Sequence, residues 1–142
     1  MADVKKIATR ESYGNALKEL AEEFPQLVVL DADLAEATKT GIFKKAYPDR
    51  HIDCGIAECN MIGVAAGLSA VGMVPYAHSF APFATRRVLD QIFISCSYAK
   101  NNVRIVGTDP GVTAAYNGGT HMPFEDMALY RAIPTATVID IA

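Results

Sequence analysis

The sequence predicts an α/β fold, a parallel-sheet doubly wound domain with helices on both faces. Three observations carry that expectation. Short β-branched runs alternate with segments of helical periodicity from one end of the chain to the other, as in successive βαβ units. The chain has 142 residues, 51% of them hydrophobic and 20% charged, enough for one domain, residues 1–142, with a core that needs no staples. The informative polar residues, Asp31, Asp33, Glu58, His78, Asp109, Asn117 and His121, are placed in loops after strands, where open parallel sheets bind ligands.

Each element follows from its local pattern. Thr9 to Phe24 carries Leu17, Leu20, Ala21 and Phe24 at helical spacing, and Pro25 closes it. Leu27 to Asp33 is a β-branched run that turns acidic, as a buried strand ending in a loop does. Gly41 to Tyr47 reads as a short helix stopped by Pro48, and His51 to Cys54 as a second short strand. Glu58 to Val71, rich in alanine and glycine, is expected to be a helix packed on all sides and ended by Gly72. Val74 to Ser79 is a strand. Phe83 to Ala99 reads as one amphipathic helix with Val88, Ile92 and Cys96 on a shared face. Val103 to Thr108 is a strand, followed by a Gly-rich loop from Asp109 to Thr120. Glu125 to Ala132 is helical, and Thr137 to Ile141 is expected to form a last strand. Repeats, linkers and low-complexity segments are absent.

Composition narrows the function. A net charge of −3 and a pI near 5.5 argue against a nucleic-acid groove or a polybasic membrane surface. Cys54, Cys59 and Cys96 are odd in number and make no CxxC pair, so buried thiols in a reducing cytosol are expected rather than a disulfide framework or a zinc site. The stretch MADVKKIATRES has no apolar signal core, and no segment is long enough to span a bilayer, so the expected location is the cytoplasm.

Glu58 opens a nearly uncharged helix in CGIAECNMIGVAAGL. A carboxylate at a helix N-terminus suits the macrodipole. Equally, an apolar pocket there would desolvate the carboxyl group and let it share a proton with a ligand nitrogen. Phe80 and Phe83 straddle a proline in HSFAPFATRR; they are core packing or a wall for a flat aromatic ligand. Arg86 and Arg87 follow at a helix start, where cations are unfavourable, so at least one should have a partner. The loop GTDPGVTAAYNGGTHMPFED is long for a βα connection and holds four glycines, a property of functional loops. Its His121 is either a surface histidine or an acid, base or donor to a substrate oxygen. It contains no GK[ST], and GVAAGL is not a dinucleotide fingerprint.

In order, TRESYG, LDADL, GIAECNMIGVAAGL, SFAPFATRRVLDQI, NNVRIVGTDPGV and NGGTHMPFEDMALYRAIPT resemble the central, pyrimidine-binding domain of transketolase along essentially the whole chain. The resemblance implies thiamin diphosphate as cofactor and ketol transfer between sugar phosphates as the reaction. By that resemblance Glu58 matches the glutamate that binds N1' of the aminopyrimidine ring, relaying acid–base catalysis through the cofactor. Phe80 and Phe83 match residues that hold the pyrimidine, and Asp33 and Leu34 match residues near the cofactor. Arg10 matches an arginine that meets the substrate phosphate, and His121 a residue that contacts the sugar and shares the catalytic work. Arg86 stands at a cofactor-side position where some members have tyrosine.

The substrate side departs from the family pattern. Thr108 and Asp109 stand where many transketolases have a His-Asp pair, and Asn117 where they have an aspartate that reads a donor hydroxyl; Ala37 or Thr38 replaces a serine. The magnesium-binding GDG motif is missing, so the diphosphate and magnesium are expected on a partner subunit or domain. The start at Met1 favours a split gene, the abrupt end at VIDIA a piece of a longer chain, and the isolated chain is expected to be inactive. A homodimer through the small residues of IGVAAGLSAVG is also expected. Alternatives are a deoxyxylulose phosphate synthase-like domain, a 2-oxo acid dehydrogenase beta-subunit-like domain, a non-catalytic assembly domain of the same fold, or an unrelated nucleotide-binding sheet.

Overall fold

The computed structural model describes residues 6–141. Its elements are helix α1 (Thr9–Glu23), strand β1 (Leu27–Asp31), helices α2 (Ala35–Thr38) and α3 (Gly41–Ala46), strand β2 (His51–Asp53), helix α4 (Glu58–Ala70), strand β3 (Val74–Phe80), helices α5 (Ala81–Ala84) and α6 (Leu89–Gln91), strand β4 (Arg104–Thr108) and helix α7 (Asp126–Arg131). Among the described residues the four strands form one parallel sheet in the order β2-β1-β3-β4. None of the described helices is long and apolar enough to cross a membrane.

The strand order explains why both faces are covered. The chain moves one way across the sheet from β1 to β2, then the other way to β3 and β4. Right-handed crossovers in opposite directions must lie on opposite faces. The packing agrees. Leu27 and Val29 of β1 point to the layer of Leu17, Ala21 and Phe43 from α1 and α3. Val28 and Leu30 point to the layer of Met61, Ile62, Ala65 and Ala66 from α4, with Val88, Ile92 and Cys96. Because successive strand residues alternate faces, all five residues of β1 are buried. The reversal falls between β1 and β3, so the loops leaving those two strands flank the crevice.

Two glycines permit close approach. A Cβ on Gly107 of β4 would sit 2.9 Å from the Ala81 Cα, and one on Gly14 of α1 would sit 2.5 Å from the Lys39 carbonyl oxygen. Neither neighbour is a flexible side chain, so both contacts require glycine.

Four expectations from the sequence are corrected. The helix expected from Phe83 to Ala99 starts at Ala81 and breaks at Thr85, whose backbone lies at φ −120°, ψ −89°. Past that break come a 3₁₀ turn at Arg86–Val88, α6, and a π-helical turn at Ile92–Tyr98. Val88, Ile92 and Cys96 still share the buried face. Thr137–Ile141 forms no strand: it pairs with no neighbour, and Ile139 and Ile141 stay exposed. Strand formation needs a ladder partner, which local β-propensity does not supply. Helix α4 is not packed all round, since Asn60, Gly63, Gly67 and Ala70 face outward. His78 lies inside β3 and Asp31 inside β1, both fully buried, rather than in loops.

Candidate functional site

Parallel strands deliver their carboxyl ends to one edge of the sheet, and most of the singled-out residues gather there. Asp33 and Leu34 leave β1, Phe80 ends β3, and Asp109 follows β4. Asp31 organises the first of these loops. This fully buried carboxylate accepts the Leu34 N–H at 2.6 Å on Oδ1. Its Oδ2 takes the Thr40 hydroxyl and lies 3.1 Å from that of Thr38. The loop turns at Asp33 with φ +59°, and the Asp33 N–H donates to Asp53 Oδ1 at 3.1 Å.

Glu58 is the first residue of α4 and is 3% exposed. Its surroundings are polar, not the apolar pocket the sequence left open. Ser79 Oγ donates to Oε1 at 3.2 Å, and Arg87 Nη1 lies 2.7 Å from Oε2. That guanidinium also covers the face of Phe83, 3.8 Å from the ring centroid. Glu58 and Phe83 therefore converge on one planar, nitrogen-bearing group: a carboxylate to receive N–H and an aromatic face to stack on.

His121 joins this cluster across the long loop. Its ring lies 4.9 Å from Phe83 and 5.5 Å from Phe80, edge to face in both cases, and the two phenylalanines lie 6.2 Å apart. Arg86 holds that loop in place: Nη1 pairs with Glu125 at 2.7 Å and Nη2 donates to the Thr120 carbonyl at 3.2 Å. Both arginines at the broken helix thus have partners. The Glu125 carboxyl is held below its usual range, first by the Arg86 hydrogen bond.

The substrate-side positions are more dispersed. Arg10 and Asn117 are exposed, and no hydrogen bond or ion pair joins either side chain to the Glu58–Phe83 cluster among the described residues. Asp109 sits at φ +55°. Beside Phe80 in the strand register lies Thr108, whose buried hydroxyl has no partner. Among the described residues no three His, Cys, Asp or Glu side chains are grouped to hold a metal, and the three cysteines are free; Cys96 is buried as expected, but Cys54 is half-buried and Cys59 exposed.

Sequence reasoning missed Arg87 as a site residue. A signal was present: two adjacent arginines beside an aromatic pair, with an uncompensated glutamate elsewhere. Which arginine faces inward depends on the Thr85 break, which periodicity does not reveal.

Comparison with known proteins follows the same lines. Residues 5–141 match the family described as transketolase, pyrimidine binding domain. The 6-deoxy-6-sulfo-D-fructose transketolase subunit SqwH of Clostridium sp. (strain MSTE9) is 51% identical over 131 residues, which cover 92% of this chain and 41% of that protein. Transketolase of Homo sapiens is 40% identical over 134 residues, 94% of this chain and 21% of the relative. A solved split gene transketolase, described as an inactive beta4 tetramer, superposes with a TM-score of 0.78 at 51% identity, covering 91% of this chain and 41% of that one. The chain therefore spans about two fifths of the length of the first relative and of that structure.

Proposed function

The chain belongs to the transketolase pyrimidine-binding domain family, and on that premise we propose that it forms the acid–base half of a thiamin diphosphate-dependent transketolase, transferring a two-carbon ketol unit between sugar phosphates. The observation that carries the reading is the convergence of Glu58 and Phe83 on one planar group. An aminopyrimidine ring is flat and nitrogen-bearing, so it suits the same two partners.

Bound thiamin diphosphate supplies the thiazolium carbon that forms and breaks the bond to the ketol unit. Glu58 shares the proton at N1' of the pyrimidine, and Ser79, on its other oxygen, fixes the carboxyl orientation. Phe80 and Phe83 hold the ring, with Asp33 and Leu34 on the loop that Asp31 anchors. Arg86 acts on this side by holding the His121 loop. His121, against both phenylalanines, donates to a substrate oxygen, and Asp109 and Asn117 contribute to sugar recognition. Arg10 meets the terminal anion of the sugar through its guanidinium fork.

The remainder of the enzyme lies on another subunit or domain, which binds the diphosphate and magnesium, and the isolated chain does not turn over. The outward strip of Asn60, Gly63, Gly67 and Ala70 on α4 suits close approach of a second copy as a homodimer, in the cytoplasm. The 51% identity to a subunit named for a 6-deoxy-6-sulfo-ketose makes a sulfonate-terminated donor the second reading.

The test is an assay of the chain assembled with its diphosphate-binding partner, cofactor and magnesium, following transfer from xylulose 5-phosphate to ribose 5-phosphate. Glu58→Ala should lower turnover about a hundredfold or more. Near-normal turnover in that variant would overturn the role of Glu58. Activity with the sulfonated ketose alone would favour the second reading.

A further inference from the structure

We propose that Arg87 is a latch on the aminopyrimidine subsite: its guanidinium occupies the place of the ring between Glu58 and Phe83, and must swing out before the cofactor can enter. The inference rests on the reading of Glu58 and Phe83 as pyrimidine partners. It goes further by assigning a role to Arg87 itself, to which that reading gives none.

Three features support it. The guanidinium satisfies both halves of the subsite at once, 2.7 Å from Glu58 Oε2 and 3.8 Å from the Phe83 centroid. A ring stacked on that face of Phe83 and bonded to that oxygen would overlap it. Second, Glu58 needs a partner when no ligand is present, because a carboxylate at 3% exposure without a compensating charge is costly. A planar cation with N–H donors is the natural placeholder. Third, the arginine is free to leave. Its side chain is 41% exposed, and it borders an open depression lined by Cys59, Leu89, Asp90, Gln91, Phe93 and Arg86, the last already paired with Glu125. There Asp90 offers a second carboxylate on the same wall. The Arg87 carbonyl accepts the Cys59 thiol at 3.3 Å, and rotation of the side chain alone opens the subsite.

A closed latch lowers apparent affinity by the fraction of molecules that are open. With the latch open, Glu58 keeps the Ser79 hydroxyl and meets water where the exposed Arg87 has left, so the pair holds that equilibrium only modestly, and removing it should tighten cofactor binding about fivefold. A wall residue or a merely structural one would do the reverse.

The experiment is calorimetric titration of thiamin diphosphate, with magnesium, into the chain assembled with its diphosphate-binding partner. Arg87→Ala should bind about fivefold more tightly than the native protein. In that variant millimolar guanidinium chloride should compete with the cofactor and restore the weaker affinity, while the native complex is unaffected. Arg87→Lys, which keeps the charge without the flat fork, should fall between the two and serves if the alanine variant does not fold. Weaker or unchanged binding in the Arg87 variants, with Glu58→Ala still impairing binding, overturns the latch alone. Binding that Glu58→Ala leaves intact overturns the assignment of Glu58 and the latch together.

Discussion

Tyr13 on α1 and His78 on β3 are joined by a hydrogen bond of 2.9 Å between Oη and Nε2, across 65 residues of sequence. The partners define the tautomer. His78 Nδ1 lies 3.1 Å from the Leu30 carbonyl oxygen, which can only accept, so Nδ1 carries the proton. Nε2 is then the acceptor and the tyrosine hydroxyl the donor. The pair ties the first turns of α1 to the carboxyl half of β3, near the edge where the candidate site lies.

Acid should weaken the protein through this histidine. Burial is the largest influence on His78 and pushes its pKa from 6.5 down to about 4. Between those values the unfolded chain binds more protons than the folded one, so stability falls as pH falls through that window. The contribution is complete above about pH 6.5, lost below about pH 4, and amounts to about 3 kcal/mol. Urea midpoints at about pH 7 and about pH 5 should differ by about 2 kcal/mol of it, the remainder being lost below about pH 5. His78→Gln should flatten that part of the profile; an equally steep fall would assign the sensitivity to other groups.

Tyr13→Phe strands Nε2 of a histidine with no exposed surface. The expected loss is about 1–3 kcal/mol, read as a lower thermal midpoint at neutral pH. No loss would mean that another donor reaches His78.

Asp31→Asn should loosen the loop that carries Asp33 and Leu34. The carboxylate receives donors on both oxygens, whereas an amide turns an NH₂ group toward one side of them. The cost should be about 1–3 kcal/mol, with faster hydrogen exchange at the Leu34 amide. Unchanged exchange there would show that the loop holds its turn without Asp31.

The Glu58–Arg87 pair should respond asymmetrically in the unliganded protein. Glu58→Gln removes the buried charge, and Arg87, already 41% exposed, turns to water at little cost. Arg87→Ala leaves a carboxylate at 3% exposure with Ser79 as its remaining partner, a loss on the order of 1–2 kcal/mol after allowing for water at the open side. The double variant should be about as stable as Glu58→Gln alone. Equal losses in the two single variants would contradict this.

Much of the architecture is local and was readable. The strands around Val28–Leu30 and Ala77 and the helices around Leu17 and Ala65 follow from apolar spacing, because burial on one face imposes a period on the residues that form it. Where one interaction competes with another, the spacing misled. Ser, Thr and Arg side chains at the Phe83–Ala99 segment read as an uninterrupted helix, yet the Thr85 hydroxyl donates to the Ala81 carbonyl at 2.6 Å and the backbone leaves the helical path there. Thr137–Ile141 has the composition of a strand and no strand beside it.

By itself the sequence determined the alternation of elements, the parallel α/β class, the family, and the identity of the groups at the carboxyl edge, since each depends on residue type and near neighbours. Only the tertiary structure decided which of two adjacent arginines faces Glu58, that His78 is sealed against Tyr13, and that His121 packs on Phe80 and Phe83. Those contacts join residues 29 to 65 positions apart, the Gly-rich loop folding back over 38 to 41 of them. Distances of that kind are set by how the sheet brings loop ends together, and no local propensity encodes them.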